Sequence, residues 1–597
     1  MCGIFGYIGH EDAFDIIIDS LRRLEYRGYD SAGAATVHEG DISVTKDVGK
    51  ISEMELERSE GTIGIGHTRW STHGKPLVRN AHPISDCTGT FVVVHNGIIE
   101  NFDELREDLE TKGHEFSGET DTESFAHLLE ELYSDGLLLE EVVFDALERV
   151  EGSYAFGILS ETDPDKIVLA RNGSPLVIGI GEEYDDGVEF YASSDEISLV
   201  PYTNRIIRMD DNEVCVLERS GPRFYNSLTR GRIEKSIETI AWSPEDMERR
   251  GYPHFVLKEI HGQPGAWRKT LREFPIRLDF QVSGFPHIYS IGAGTSGYAA
   301  EYFEYLFDRI SGIPITSKSA TEFMGLNSIV NGSLVVLFTQ SGETKDVINA
   351  MDHAREFGVS YLSLTNKRGS IVERTSDYSL HMDAGPEFGV IGTKTFTSHC
   401  ILSARLAIET ARNIGVDVDD IDHELRRLPN YLETYLSGGL TDLDRVAGYL
   451  DAHDDVYVVG RGGGLITAKE GALKLKETTY IHAEALPVGD FKHGPLTLIS
   501  EGTPLIVIVP QSEYRDKVLS NLHEVRARGG YVIAISYDGD SEIGRYSDDV
   551  IYLPKTHEYL QEILNVVPFQ LLSYKLGVIR GIDPDHPRNI AKTVTVD

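Results

Sequence analysis

Cysteine is scarce in this sequence of 597 residues. The four cysteines, Cys2, Cys87, Cys215 and Cys400, are too far apart for a disulfide framework or for the paired spacing of a zinc site. No apolar run approaches the ~18 residues that can span a bilayer, and the residues after Met1 lack the basic and apolar segments of a secretory leader. We therefore expect a cytoplasmic protein without disulfides, metal or membrane attachment.

Basic residues are also under-represented. The chain has 56 Lys and Arg against 96 Asp and Glu, a formal net charge of −40. This charge would repel nucleic acid phosphates and anionic lipid, so nucleic acid and membrane partners are disfavoured. It exceeds what solubility requires and predicts a salt-adapted cytosol, in which dissolved salt screens the self-repulsion. The alternative is an acidic protein from an ordinary cytosol.

The length predicts several domains, because a single hydrophobic core rarely grows beyond ~300 residues. Short strands and amphipathic helices predominate early in the chain, with a buried strand over Phe91–Val94 and helices over 102–109 and 122–132. Alternating strand and helix patterns follow later and indicate parallel sheets. The predicted segments are a first domain at 1–230, a linker at 231–255, two α/β domains at 256–425 and 426–580, and a tail at 581–597.

The two later domains are predicted to be a duplication. A strand at 287–291 runs into a glycine-rich turn at 292–297, and the same unit returns at 456–464. A second similarity pairs 336–341 with 507–512 at nearly the same spacing. The first copy alone carries hydroxyls after both strands, at Thr295, Ser296, Thr339, Ser341 and Thr344.

Hydroxyls and helix N-termini after two neighbouring strands can converge on one phosphate dianion. The alternative is that the glycines only form tight turns between strand and helix. No Walker lysine follows the glycines, and no acidic residue stands where a ribose would need it, so ATP and NAD are disfavoured.

Cys2 is a candidate nucleophile. If Met1 is removed, Cys2 supplies both a thiol and an α-amine of pKa ~8 that can act as its base, so no catalytic histidine is required. The alternative is that a cysteine stands at this position by chance.

Three further positions could bind an amino-acid substrate. Arg69 could grip a carboxylate, Asn96 with Gly97 could hold an oxyanion, and Asp121 could bind an ammonium group. Each also has a structural interpretation: a surface ion pair, a turn and a helix N-cap, respectively.

Taken together, these residues resemble a known family. The segments Cys2–Gly6 and Leu24–Gly33, with the blocks 66–74, 95–97 and 118–123, are similar to the glutaminase domain of N-terminal-nucleophile amidotransferases, and most of all to the glucosamine-6-phosphate synthase family. The resemblance extends to the end of the chain. It implies an αββα glutaminase domain followed by two sugar isomerase (SIS) α/β domains with parallel sheets.

The resemblance also implies roles in the first domain. Cys2 attacks the glutamine carboxamide, Asn96 and Gly97 form the oxyanion hole, and Arg69 and Asp121 hold the α-groups of glutamine. Trp70 gates the passage of ammonia, with a core aromatic as the alternative interpretation. The residues of this block implied to contact substrate are Arg69, Trp70, Thr72 and His73.

Further roles are implied in the sugar half. Glu477 moves a proton between C1 and C2 beside Lys474, His493 of a partner subunit opens the sugar ring, and Lys592 forms an imine with the ketose. The residues implied to bind the sugar phosphate are Gly294, Thr295, Ser296, Thr339, Gln340, Ser341, Thr344 and Val390. Without the resemblance, Glu470, Lys474 and Glu477 could be a solvated salt-bridge ladder, and Lys592 a solvated tail residue.

The expected activity is transfer of the amide nitrogen of L-glutamine to fructose 6-phosphate by a homodimer, without a cofactor. Thr339 stands where the family usually has serine, and Gly392 where a sugar-contacting serine is common. These departures put the preferred ketose phosphate in question. Two alternatives are a phosphosugar sensor that only binds, and an amidotransferase serving phosphoribosyl diphosphate or an aspartyl adenylate. Neither acceptor loop of the latter is found.

Overall fold

The computed structural model describes residues 2–71, 74–185, 187–240, 244–438 and 440–592. The chain forms two compact units, one that runs to Glu248 and one from Arg249 to Lys592. Thr72 and His73 lie outside the described residues, as do the residues of the predicted tail beyond Lys592. Among the residues described, no helix combines the length and apolar character needed to cross a membrane.

The first unit contains two antiparallel sheets, of eight and seven strands. The strand orders are β15-β11-β9-β10-β1-β4-β2-β3 and β14-β13-β12-β8-β7-β6-β5. The strands are β1 (Gly3–Ile8), β2 (Ser31–His38), β3 (Asp41–Val48), β4 (Ile63–Arg69), β5 (Ile84–Ser85), β6 (Phe91–Ile99), β7 (Gly152–Ser160), β8 (Lys166–Asn172), β9 (Val177–Tyr184), β10 (Gly187–Ser193), β11 (Arg205–Arg208), β12 (Glu213–Glu218), β13 (Gly221–Asn226), β14 (Arg232–Ile233) and β15 (Glu238–Thr239).

Helices cover the outer face of each sheet. The helix α1 packs on β1, β2 and β4, whereas α3 and α4 pack on the second sheet and α2 packs on α3. The helices are α1 (Ala13–Leu24), α2 (Phe102–Lys112), α3 (Asp121–Leu132) and α4 (Leu139–Leu147). The start of α1 is fixed by Asp12, whose carboxylate accepts from the backbone N–H groups of Phe14 and Asp15. The predicted αββα arrangement is confirmed.

Alternate side chains of β6 point to opposite faces of the sheet, so this strand contributes to two hydrophobic cores. Val92 and Val94 face the other sheet, whereas Phe91 and Val93 face the helices. The strand continues to Ile99, beyond the predicted end at Val94. The longer strand places His95, Asn96 and Gly97 in the ladder with β7 rather than in a following turn.

The second unit contains two five-stranded parallel sheets, with the orders β17-β16-β18-β19-β20 and β22-β21-β23-β24-β25. In both sheets the second strand along the chain is at the edge, followed by the first, third, fourth and fifth. The predicted duplication is therefore confirmed. The strands are β16 (Ile288–Gly292), β17 (Thr316–Ser319), β18 (Leu334–Phe338), β19 (Ser360–Thr365), β20 (Tyr378–His381), β21 (Asp455–Gly460), β22 (His482–Pro487), β23 (Pro504–Ile508), β24 (Tyr531–Tyr537) and β25 (Asp549–Leu553).

Buried helices join the two sheets of this unit, since α6 packs on both α10 and α13. The helices are α5 (Phe255–Glu273), α6 (Gly294–Ile310), α7 (Ala320–Phe323), α8 (Lys345–Arg355), α9 (Ile371–Thr375), α10 (Lys394–Asn413), α11 (Asp419–Ser437), α12 (Thr441–Leu450), α13 (Gly463–Thr479), α14 (Arg515–Arg526), α15 (Gln561–Asn565) and α16 (Val567–Ile579).

Two details concern the predicted domain boundaries. The short strands β14 and β15 fall within the predicted linker and pair with β13 and β11 of the first unit. The predicted division after residue 425 falls inside α11. The boundaries therefore stay predictions.

Candidate active sites

The Cys2 thiol lies where β1 begins, beside the end of β4. Gly3 pairs with Thr68 in the sheet, which brings Cys2 next to Trp70. The backbone N–H of Trp70 donates to Cys2 Sγ over 3.2 Å. Burial raises the pKa of the Cys2 thiol, although the guanidinium charges of Arg69 and Arg27 oppose this effect. A thiol in this state needs a base before it can act as a nucleophile.

A buried ion pair fixes the backbone at Cys2. Arg27 Nε donates to the Cys2 carbonyl over 3.1 Å, and Arg27 Nη1 donates to Asp195 Oδ2 over 2.9 Å. The hydroxyl of Tyr26 donates to the same Asp195 oxygen, also over 2.9 Å. Arg27 lies in the segment that carries the family resemblance, but sequence reasoning gave it no role. Its partner Asp195 has no local signal in the sequence.

Asn96 is held in one orientation by His67. The amide nitrogen of Asn96 donates to the Cys2 carbonyl over 3.0 Å, while its amide oxygen lies 3.1 Å from His67 Nε2. His67 Nε2 is also 2.9 Å from the His95 carbonyl, so this nitrogen carries the proton and donates to both oxygens. Burial lowers the pKa of His67 to about 3, which keeps the ring neutral. His67 is therefore a positioning residue that the sequence analysis missed.

Gly97 must be glycine. Its φ is +131°, and a Cβ at this position would lie 2.0 Å from the Ser153 carbonyl oxygen. Both the backbone conformation and the close approach of β7 exclude a side chain. The conformation orients the peptide groups on either side of Gly97, next to Asn96.

Arg69 and Asp121 are both buried near Cys2. Asp121 is the first residue of α3, and its carboxylate accepts from the Ile99 N–H over 3.0 Å, which ties the helix to β6. Burial lowers the pKa of Arg69, and the nearby charges of Cys2 and Asp121 oppose this effect. The half-buried ring of Trp70 meets Tyr29 edge-on, with 5.5 Å between the ring centroids. The structure thus places Trp70 and Arg69 beside the Cys2 thiol, and Asp121 near Arg69.

The second candidate site begins at the carboxyl ends of β16 and β18. Thr339 Oγ1 accepts from the Gly342 N–H over 3.0 Å and lies 3.3 Å from Thr344 Oγ1. Ser341 Oγ accepts from the Glu343 N–H over 3.2 Å. These bonds shape a hydroxyl-lined loop, which includes Gln340, before the N-terminus of α8, where a helix favours an anion.

Gly294 and Ser296 lie at the start of α6, after the neighbouring strand β16. Gly294 has a φ of +53°, which glycine adopts without strain. The predicted phosphate-binding residues are therefore distributed over two adjacent strand ends of one parallel sheet.

Thr295, the second residue of α6, contacts a buried group of charged residues on α13. Lys474 Nζ lies 2.6 Å from Glu477 Oε2 and 3.3 Å from Glu470 Oε1, and it donates to Thr295 Oγ1 over 3.0 Å. Lys474 and Glu470 are fully buried. The alternative of a solvated salt-bridge ladder is wrong for these residues, because the helix face points into the protein.

The pKa values of Lys474 and Glu470 are both shifted from their ordinary values. Burial by itself lowers the pKa of Lys474, but Glu470 and Glu477 outweigh it and raise the pKa above its ordinary value. Burial raises the pKa of Glu470 to about 8, although Lys474 opposes this shift. An ammonium group is thus retained between two carboxyl groups, of which Glu477 is the more exposed.

Val390 and Gly392 lie in the segment that precedes α10. Val390 is buried, and its N–H donates to the Asp585 carbonyl over 3.3 Å. A Cβ on Gly392 would lie 3.2 Å from the Thr295 methyl group. A serine at Gly392 would therefore crowd Thr295, which gives a physical reason for the departure noted in the sequence.

Lys592 is buried rather than solvated. Its side chain is 6% exposed, and Nζ lies 2.5 Å from Glu387 Oε2 and 2.7 Å from the Gly389 carbonyl oxygen. The interpretation of Lys592 as a solvated tail residue is wrong. The segment before it is anchored by Asp585, which accepts from the Phe255 and Val256 N–H groups at the start of α5.

Glu387 is a residue that sequence reasoning missed. Its carboxylate also accepts from the Thr393 N–H over 2.9 Å and from the Thr395 hydroxyl over 2.7 Å, at the N-terminus of α10. Burial opposes ionisation, but Lys592 and these hydrogen bonds outweigh it and lower the pKa of Glu387. The only signal in the sequence was an acidic residue between Pro386 and Phe388 in an otherwise uncharged run.

His493 differs from the other predicted catalytic residues. It ends a short helical turn, Phe491–His493, and it is exposed. Within the described part of the second unit, its ring has no hydrogen-bond or ion-pair partner. Its predicted contribution to a partner subunit's site stays a prediction.

A cysteine at the start of an αββα unit and a hydroxyl-lined loop in a duplicated parallel-sheet unit are typical of a glutamine amidotransferase joined to a pair of sugar isomerase domains. A family model of the glutamine amidotransferase domain matches residues 67–197, and a model of the SIS domain matches residues 283–408 and 449–580. The chain belongs to the glutamine–fructose-6-phosphate aminotransferase (isomerizing) family.

The family assignment depends on relatives of the same length. The chain is 42% identical to the enzyme of that name from Thermococcus kodakarensis and 42% identical to the one from Pyrococcus horikoshii, with 100% of both chains covered in each case. A solved C-terminal domain of glucosamine-fructose-6-phosphate aminotransferase from Francisella tularensis is 31% identical. It covers 57% of this chain and 100% of its own, with a TM-score of 0.52.

Proposed function

We propose that this protein converts L-glutamine and fructose 6-phosphate to L-glutamate and glucosamine 6-phosphate. The single observation that carries the proposal is the convergence of Cys2, Asn96, Arg69 and Asp121 in one unit of a chain whose other unit buries Lys592 and Lys474 beside carboxylates. A phosphosugar sensor would need the hydroxyl-lined loop alone. It would have no use for a nucleophile or for a buried amine.

In the glutaminase half, the Cys2 α-amine, free once Met1 is removed, takes the thiol proton. The sulfur then attacks the amide carbon of glutamine, ammonia leaves, and water hydrolyses the thioester to glutamate. Asn96 and the backbone at Gly97 stabilise the oxyanion of each tetrahedral intermediate. Arg69 and Asp121 hold the α-carboxylate and the α-ammonium of glutamine.

In the sugar half, the phosphate is held by the loop of Thr339, Ser341 and Thr344 with Ser296 and the N-termini of α6 and α8. Lys592 forms an imine with the open-chain ketose at C2 and releases water. Ammonia then displaces the lysine. Glu477 removes the proton from C1, which the protonated imine acidifies, and returns a proton at C2. The C1 hydroxyl loses its proton to the amino nitrogen through solvent, which gives the aldose amine.

Lys474 is placed to serve that proton transfer. Its ammonium lies between Glu470 and Glu477 and is tied to Thr295 on the sugar-binding turn. It thereby couples the position of the Glu477 carboxylate to the position of the sugar.

Two parts of the proposal depend on the sequence resemblance. The loop of Lys492 to Leu496 is similar to the family segment that reaches a partner subunit, so we infer a homodimer. The exposed His493 would then open the furanose ring in the partner's site. The cytoplasm is the inferred compartment.

The test is an assay of purified protein with both substrates, for glutamate and for hexosamine phosphate. Glutamine and fructose 6-phosphate together should give the two products in equal amounts, and fructose 6-phosphate alone should give no amino sugar. The Cys2→Ala variant should lose glutamate release and keep sugar-phosphate binding. Binding of fructose 6-phosphate without either product would favour the sensor.

A further inference from the structure

Four side chains that could bind a metal meet on the helical side of the first unit. Cys87 lies in the turn between β5 and β6, His114 follows α2, and His127 and Glu130 share one face of α3 at a spacing of three residues. One ligand atom from each lies within 4.8 Å of every other. None of these residues has a role in the proposed reaction.

The separations suit a tetrahedral ion. Glu130 Oε2 lies 3.0 Å from His114 Nδ1, 3.3 Å from His127 Nδ1 and 3.0 Å from Cys87 Sγ, and the sulfur lies 3.6 Å from His114 Nδ1. Bond lengths of ~2.0 Å to nitrogen or oxygen and ~2.3 Å to sulfur place tetrahedral ligands ~3.3–3.6 Å apart. Four of the six distances between ligand atoms are thus near these values, and all six are within 4.8 Å.

The second ring nitrogen of each histidine faces a further carboxylate. His114 Nε2 lies 3.3 Å from Glu131 Oε2, and His127 Nε2 lies 3.9 Å from Glu123 Oε1. Glu123 is itself fixed by the N–H groups of Ser117 and Gly118. In metal sites, the histidine ring nitrogen that does not bind the metal commonly donates to a carboxylate. This contact fixes the tautomer and makes the ligand nitrogen more basic.

The charge balance also calls for a cation. The carboxylates of Glu123 and Glu131 lie beside the cluster in addition to Glu130, and Lys112 Nζ is 3.2 Å from Glu131 Oε1. A divalent ion would offset this negative charge.

We propose that Cys87, His114, His127 and Glu130 bind one zinc-class divalent ion. Binding displaces the thiol proton of Cys87 and any imidazolium protons to solvent, and leaves a thiolate, two neutral imidazoles and a carboxylate as ligands. All four positions are filled by protein, as in structural rather than catalytic zinc sites. The expectation of no metal followed from the spacing of cysteines alone, whereas the fold adds ligands from α3.

The ion would stabilise the helix that carries Asp121 of the glutamine site. It links the β5–β6 turn and the end of α2 to α3, the helix that begins at Asp121. Metal removal should therefore loosen the position of Asp121 without removing any group that contacts glutamine. A raised KM for glutamine with sugar binding unchanged is the expected functional sign.

The experiment uses the full chain in a Cys2→Ala background, so that Cys87 is the only thiol that is not buried. Protein stripped with a chelator is titrated with Co²⁺ and then Zn²⁺. The expected result is one equivalent of Co²⁺ with tetrahedral d–d bands and a thiolate charge-transfer band, both abolished by Zn²⁺. Elemental analysis of protein purified without chelator should find about one metal ion per chain.

Matched variants decide whether these residues are the ligands. Cys87→Ala should abolish the charge-transfer band, and Glu131→Gln should weaken binding roughly 10–100-fold while every ligand is kept. His482→Gln removes an exposed histidine 2.9 Å from Asp455. This control should change neither the charge-transfer band nor the affinity for the metal. Circular dichroism confirms that each variant folds. Absence of stoichiometric binding, or an unchanged band in Cys87→Ala, would overturn the proposal.

Discussion

The ammonium group of Lys592 contacts Glu387 Oε2 at 2.5 Å, across 205 positions of the chain. An ammonium cannot attack the C2 carbonyl of a ketose, so the proton must leave before an imine can form. Glu387 and the Gly389 carbonyl fix the position of Lys592 Nζ in the absence of sugar.

Lys592→Arg should stop amino-sugar formation, because a guanidinium stays protonated and forms no imine. Glutamine hydrolysis should persist at a reduced level, since its residues are in the other unit. Borohydride reduction with fructose 6-phosphate should trap one sugar on the native chain and none on the variant. Lys476→Arg, on an exposed position of α13, is the control and should behave as the native chain. Amino-sugar synthesis at the native rate by Lys592→Arg would refute the imine.

Glu387→Gln should destabilise the second unit, because breaking a buried ion pair costs about 3–5 kcal/mol. The variant keeps an amide oxygen for the hydrogen bonds at the start of α10 and removes the charge that faces Lys592 Nζ. Chemical denaturation at constant pH measures the loss. A variant as stable as the native chain would show that this ion pair does not contribute to stability.

Gly97→Ala should abolish glutaminase activity. The added methyl would lie 2.0 Å from the Ser153 carbonyl oxygen, and φ is +131°, so β6 must separate from β7 to accept it. The oxyanion site is built on this strand pair. Binding of fructose 6-phosphate by the other unit should remain and serves as the folding control. Native glutamate release by Gly97→Ala would contradict the role of this backbone.

Acid should unfold the first unit partly through His67. Its folded pKa is about 3 and its ordinary value is 6.5, so between these values the unfolded chain binds a proton that the folded chain does not. This contribution to stability is complete above pH 6.5 and is lost as the pH falls, by about 1.4 kcal/mol per pH unit.

Thermal unfolding in constant salt measures this dependence. His67→Gln keeps a donor for Asn96 but does not titrate, so its stability should fall less steeply with acid, by about one proton. An unchanged slope in the variant would show that other groups account for the acid sensitivity. His82, which stacks on His67 and whose pKa burial also lowers, contributes to the slope that remains. Glu123 contributes as well, because burial opposes its ionisation but its hydrogen bonds outweigh burial and lower its pKa.

Periodicity predicted the elements that carry a continuous apolar pattern. The strand that begins at Phe91 and the helices that became α2 and α3 are examples, as is the repeated strand and glycine turn of the second unit. The end of β6 was missed because His95, Asn96 and Gly97 interrupt that pattern. Their place in the ladder is decided by pairing with β7, which no local window contains.

The catalytic candidates were visible as residue types, but their supporting partners were not. Arg27 and Asp195 are 168 positions apart, and Lys592 and Glu387 are 205 positions apart. Each pair meets only because sheet and helix packing brings distant segments together. An acid such as Glu387, in a loop without periodicity, has no sequence feature that separates it from a surface residue.

Transfer of the amide nitrogen is the central claim, and isotope tracing tests it most directly. The native protein is supplied with [amide-15N]glutamine and fructose 6-phosphate in excess unlabelled ammonium, and the hexosamine phosphate is analysed by mass spectrometry. We predict 15N in the amino sugar with little dilution, and one glutamate for each amino sugar formed. Glutamate without labelled amino sugar would contradict the account.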